Sequence, residues 1–96
     1  MTDPEPARYQ LQVAGPAARA LAGRLPEKIA AAVYEFITTT FLENPRRVGK
    51  QLILPPFEGT WSARRGTYRV LYEIDEDALV VTVTAIEHRA DAYRSR

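Results

Sequence analysis

Between positions 60 and 86 the chain holds three strand-like segments, 60–64, 67–74 and 78–86, separated only by Arg65-Gly66 and Asp75-Glu76-Asp77. Breaks this short cannot carry a crossover to a parallel neighbour, which takes about a dozen residues or more, so the three segments are expected to form an antiparallel meander. Upstream, Tyr9, Leu11 and Val13 alternate with Gln10 and Gln12 in the period of a half-buried strand, which Gly15-Pro16 ends. Ala, Leu and Arg over 17–25 favour a first helix. Pro26 opens a second, in which Ile29, Val33, Phe36, Ile37 and Phe41 recur at three- and four-residue spacing until Asn44-Pro45 stops it. Residues 46–59, with Pro55-Pro56 and no sustained period, read as an ordered connection. The order strand, helix, helix, strand, strand, strand predicts a small α+β domain over residues 9–96, with two helices on one face of the sheet and residues 1–8 as an unstructured tail.

A chain of 96 residues has room for one such core. It contains no cysteine, which excludes a disulfide framework, thiolate metal sites and a cysteine nucleophile, and its single histidine cannot build a histidine-rich metal centre. No apolar run approaches the ~20 residues that span a bilayer, and residues 1–6 lack the basic-then-apolar pattern of a secretion signal. A soluble, cytoplasmic protein without membrane association is expected.

The net charge of +1 conceals an uneven distribution. Residues 44–70 carry Arg46, Arg47, Lys50, Arg64, Arg65 and Arg69 against Glu58 alone, and the segments on either side are net acidic. Clustered guanidinium and ammonium groups steer phosphates and release counterions on contact, so the block is either a polyanion site or a solvated basic surface. Strand alternation favours the first. Tyr68, Val70, Tyr72 and Ile74 would face the helices, leaving Thr67, Arg69, Leu71 and Glu73 on the open side. On the preceding strand Trp61 and Ala63 would face inward, while Thr60, Ser62 and Arg64 join Arg69. The basic block is therefore expected to converge on one face, with Trp61 and Tyr72 as core aromatics.

The tail reads Glu87-His88-Arg89-Ala90-Asp91-Ala92-Tyr93-Arg94 and leaves a strand expected to lie beside the one bearing Arg69. Arginine forks can hold a phosphodiester and stabilise its developing charge, while histidine or tyrosine moves protons or stacks on a base. A short terminal helix with a solvated His88 and a packed Tyr93 is the structural alternative.

The stretch Ser62-Ala63-Arg64-Arg65-Gly66-Thr67-Tyr68-Arg69-Val70-Leu71-Tyr72-Glu73-Ile74-Asp75, with Val81-Thr82-Val83 and His88-Arg89-Ala90-Asp91-Ala92-Tyr93-Arg94, resembles the RelE branch of the RelE/ParE toxin superfamily, its mycobacterial and actinobacterial members above all. The resemblance runs over residues 9–94 and includes the order of elements. It implies a bacterial type II toxin that enters the ribosomal A site and cleaves the mRNA there. In such enzymes the 2′-hydroxyl attacks its own 3′ phosphate and leaves a cyclic phosphate, with no metal and no cofactor. It also implies a RelB-like antitoxin as partner, the ribosome and mRNA as target, and operator DNA only through the antitoxin complex. The antitoxin would lay a helix across the apolar helix face or against the basic groove.

Residue by residue, Arg69 matches the family's phosphate-contacting arginine, Arg89 an arginine of the tail motif, Tyr93 the C-terminal tyrosine, and Arg64 a basic position on the preceding strand. Two family lysines are replaced by Thr60 and Ser62, and an earlier tail arginine by Glu87. Thr and Ser supply no fixed charge, so proton transfer is expected to fall to His88, since imidazole is the side chain that titrates near neutral pH. The expected catalytic set is Arg69, Arg89, Tyr93 and His88, with Arg64, Arg65, Lys50, Arg46 and Arg47 binding RNA. Two alternatives remain: a ParE-like toxin that acts on DNA gyrase without nuclease chemistry, and a plain nucleic-acid-binding module.

Overall fold

The computed structural model describes residues 8–53, 55 and 59–88. Strand β1 (Gln10–Val13) leads into helix α1 (Gly15–Arg19), which continues as a π-helical turn over Ala20–Arg24. Helices α2 (Glu27–Thr38) and α3 (Thr40–Glu43) follow, then strands β2 (Lys50–Gln51), β3 (Trp61–Arg65), β4 (Tyr68–Asp75) and β5 (Val80–His88). They form one sheet in the order β1-β5-β4-β3-β2. The meander β3-β4-β5 is antiparallel as expected, and β1 joins it in parallel, with Leu11 opposite Val81 and Val13 opposite Val83.

Local chemistry sets the boundaries. Gly66, at φ +58°, takes the first place of the two-residue turn between β3 and β4, a conformation that suits a residue without Cβ. The next turn is longer than its acidic triplet, because the Asp75 carboxylate accepts bonds from the backbone N–H groups of Asp77 and Ala78, each at 3.0 Å, and delays β5 to Val80.

The second helical segment is not continuous. The Thr38 and Thr39 hydroxyls donate back to the carbonyls of Tyr34 and Glu35, at 2.7 and 2.6 Å, and Thr39 leaves helical geometry at φ −125°, ψ −103°. Three successive threonines at 38–40 offer the backbone this competing pattern and split α3 from α2. The connection over 46–59 also contains β2, where Lys50 pairs with Ser62.

The core lies between the helices and one side of the sheet. Val33, Phe36, Ile37 and Phe41 pack with Ala63, Tyr68, Val70, Tyr72, Val81, Val83 and Ile86, and Ile29 is half-buried at the rim. The apolar helix face, one of the two surfaces expected to receive an antitoxin helix, is thus buried against the chain's own sheet. Tyr72 anchors this layer: its ring meets Phe41 edge-on at 4.6 Å and stacks on Trp61 at 6.3 Å, and its buried hydroxyl donates to the Pro45 carbonyl at 2.6 Å. Burial pushes that phenol well above its ordinary pKa, so it remains a neutral donor. Among the described residues no helix is long and apolar enough to cross a membrane.

Candidate functional site

Strand register sorts the basic residues. Arg64 on β3 stands opposite Arg69 on β4, and Arg69 opposite Glu87 on β5, so a row Arg64, Arg69, Glu87 crosses three strands on the face away from the helices. The neighbouring row is Lys50, Ser62, Leu71, Ala85. Its apolar member Leu71 is buried at 8% exposure, whereas Lys50, Arg64 and Arg69 are all exposed. Directly opposed side chains in such a pair stand about 4.5–5.5 Å apart at Cβ, and like charges there repel. An anion bridging the two guanidinium forks would relieve that repulsion and receive bidentate bonds.

The face of β5 depends on an irregularity that sequence alternation does not reveal. Tyr72 pairs with Val83 but Leu71 pairs with Ala85, so Thr84 is an extra residue, and its hydroxyl donates to the Leu71 carbonyl at 3.2 Å. Before this bulge the odd-numbered Val81 and Val83 point into the core; after it the even-numbered Ile86 does. The same reversal turns Glu87 outward beside Arg69 and aligns His88 with Tyr68 on the helix side.

His88 was expected to work beside Arg69, and the structure separates the two. The imidazole Nε2 lies 3.2 Å from the Thr67 hydroxyl, opposite Tyr68, whose phenol is raised above its ordinary range chiefly by burial. Arg65 is likewise opposite Tyr68 and places its guanidinium 4.6 Å from the Phe36 ring centre, on the other side of the sheet from Arg64. Arg46 lies toward the other end of β4, at the turn that follows Asp75. There it donates to the Glu76 carboxylate at 2.6 Å and sits 5.9 Å from the Trp61 ring. Arg47 is exposed, with its backbone N–H on the Asn44 side chain.

The expected convergence of the whole basic block is therefore corrected. Arg64, Arg69 and Lys50 share the open face, while Arg65 and Arg46 are engaged elsewhere. Arg89 and Tyr93 lie outside the described residues. Glu87, which the sequence presents only as a missing arginine, is the residue that sequence reasoning undervalued. Its signal lies in cross-strand pairing, which no local pattern carries.

Comparison with known proteins agrees with this architecture. The family described as the ParE toxin of type II toxin–antitoxin systems matches residues 12–93. Toxin RelE of Mycobacterium tuberculosis is 47% identical over 94 residues, covering 98% of this chain and 93% of that protein. Toxin RelG of the same organism is 49% identical over 71 residues, covering 74% of this chain and 80% of its own length. A crystal structure of the M. tuberculosis toxin–antitoxin complex RelBE2 contains a chain that superposes with a TM-score of 0.81 at 42% identity, over 86% of this chain and all of that one.

Proposed function

Given that this chain belongs to the ParE toxin family of type II toxin–antitoxin systems, and is a toxin of the RelE kind, we propose that it is a ribosome-dependent endoribonuclease that cleaves mRNA in the A site and so stops translation. The reaction would be attack of a nucleotide's 2′-hydroxyl on its own 3′ phosphate. The observation that carries this reading is the exposed cross-strand pair Arg64 and Arg69, a fork for one phosphodiester on the sheet face away from the helices. Lys50, one row away on the same side, extends the positive surface along an RNA backbone. Arg89 and Tyr93 join the site by their place in the tail motif, Arg89 as a further cation on the phosphate and Tyr93 stacking on the nucleotide or moving a proton.

Inactivation by a RelB-like antitoxin follows the same reasoning. The M. tuberculosis match is a toxin–antitoxin complex, and with the apolar helix face buried, the basic face is the surface whose coverage would exclude RNA. A partner that masks Arg64 and Arg69 would inhibit by competition for the phosphate site.

The test is translation in vitro with the purified chain and primer extension on the message. Cuts at defined positions that require ribosomes support the reading. An intact message together with loss of gyrase supercoiling would replace it with a ParE-type action on DNA gyrase.

A further inference from the structure

The outward turn of Glu87 puts a carboxylate next to the proposed phosphate fork. Glu87 Oε1 lies 3.5 Å from Arg69 Nη1, and both side chains are about half exposed, at 55% and 48%. The charged groups facing Glu87 are Arg69 on β4 and, one strand further, Arg64 on β3. On its other flank β1 has ended at Val13 opposite Val83, and Arg24 reaches that side of the sheet, donating to the Ile86 carbonyl at 3.2 Å. His88 is turned to the other face. Glu73 shares the open face but stands four residues from Arg69 along β4, about 13 Å away. Glu87 is thus the carboxylate, among the described residues, that adjoins the phosphate fork.

We infer that Glu87 is the proton acceptor of the cleavage reaction, taking the 2′-hydroxyl proton while Arg69 and Arg64 hold the adjacent phosphate. This rests on the endoribonuclease reading above. A ribose 2′-oxygen and its own 3′ phosphate are neighbours within one nucleotide, so a phosphate seated on Arg69 brings the 2′-hydroxyl toward Glu87. The 2′-oxygen bonds to phosphorus as its proton passes to a Glu87 carboxylate oxygen. The bond from phosphorus to the 5′-oxygen then breaks, and that oxygen takes a proton from a water molecule. The hydroxide so formed recovers the proton from the Glu87 carboxyl, leaving a 2′,3′-cyclic phosphate, a free 5′-hydroxyl and the enzyme in its starting state.

Charge explains why such a group would serve catalysis rather than binding. An ionised carboxylate opposes a bound phosphate, which weakens the ground state. Once protonated it no longer repels the phosphorane, whose added charge the two guanidinium groups stabilise. A group whose only task was to add attraction for the phosphate would not be anionic.

Single-turnover cleavage of ribosome-bound message by the full chain, followed across pH, tests the assignment. Glu87→Gln keeps the shape and an oxygen toward Arg69, and is expected to slow cleavage by about 10²-fold or more. It should also abolish the acidic limb of the wild-type pH profile while ribosome binding is retained or strengthened. Glu87→Asp should recover part of the rate together with that limb. A Glu87→Gln rate equal to or above wild type, with an unchanged profile, would overturn the assignment and leave the carboxylate as a restraint on Arg69. If the wild-type chain cleaves nothing and Arg69→Ala behaves identically, the nuclease reading falls and this inference with it; cleavage lost in Arg69→Ala but not in Glu87→Gln removes Glu87 alone.

Discussion

Arg64 and Arg69 stand directly opposite one another on β3 and β4, both exposed, with Glu87 the next member of their row. Neither guanidinium contributes to the core, and each raises the electrostatic cost of the other. Arg69→Ala should therefore abolish growth arrest on induction while shifting the thermal midpoint by no more than about 4 °C, the scale of a surface change in a domain this size. The exposed ion pair with Glu87 is too weak to alter that expectation. Full toxicity of the variant would remove Arg69 from the site.

The reversal at Thr84 also resizes the effect expected of His88. An imidazole aligned with Tyr68 and bonded to the Thr67 hydroxyl in the β3–β4 turn stands off the row of Arg64, Arg69 and Glu87 that would hold a phosphate. His88→Gln should slow ribosome-dependent cleavage by less than about tenfold, well short of the ~10²-fold loss of a general acid or base. Single-turnover rates decide this, and a loss of ~10²-fold or more would return the proton-transfer role to His88.

The loop before β2 is closed over one hydroxyl. Tyr72→Phe leaves the Pro45 carbonyl without its buried donor and should cost about 1–3 kcal/mol in urea unfolding. A Cβ at Gly49 would collide with that same hydroxyl and lie 2.7 Å from the Ser62 carbonyl oxygen, so Gly49→Ala should also destabilise, by about 1–3 kcal/mol. Because both changes act on the space around one oxygen, the double variant should lose less than the sum of the single losses. Strict additivity would show that the Gly49 penalty arises from the β3 backbone alone.

At the opposite end of the sheet, the Tyr9 phenol donates to Glu76 at 2.7 Å, and Arg46 donates to the other carboxylate oxygen. The tyrosine bond, then the arginine, hold the Glu76 carboxyl below its ordinary 4.5, so this contribution to stability is complete above pH 4.5 and fades as pH falls through the lowered value. The bond to Glu76, followed by burial, raises Tyr9 above 10.0, so its share persists below pH 10 and is lost as pH rises through the raised value. Thermal midpoints across pH should show Tyr9→Phe least different from wild type at the two extremes and most different between them. A constant difference at every pH would contradict this linkage.

Much of the fold was legible because it is written in local periods. Alternation and a glycine able to adopt positive φ mark β3, β4 and their turn, and three- and four-residue spacing marks the face of α2 that meets the sheet. The threonines at 38–40 were equally visible, but their side-chain bonds to the preceding carbonyls compete with helix geometry too evenly for a sequence to show which side prevails.

The amino-acid sequence by itself determined the meander, the helical layer, the exposure of Arg64 and Arg69 and the resemblance to RelE toxins, since each follows from neighbours a few positions apart. Tertiary structure alone decided the rest. The parallel seat of β1 beside β5, the pairing of Arg46 with a glutamate thirty residues away, and the placing of Arg65 over Phe36 all depend on which distant segments meet. Strongest of these is the single extra residue at Thr84. It reverses which side chains of β5 face outward, setting Glu87 rather than Ile86 opposite Arg69, because side-chain direction in a strand has a period of two and one inserted residue inverts everything after it.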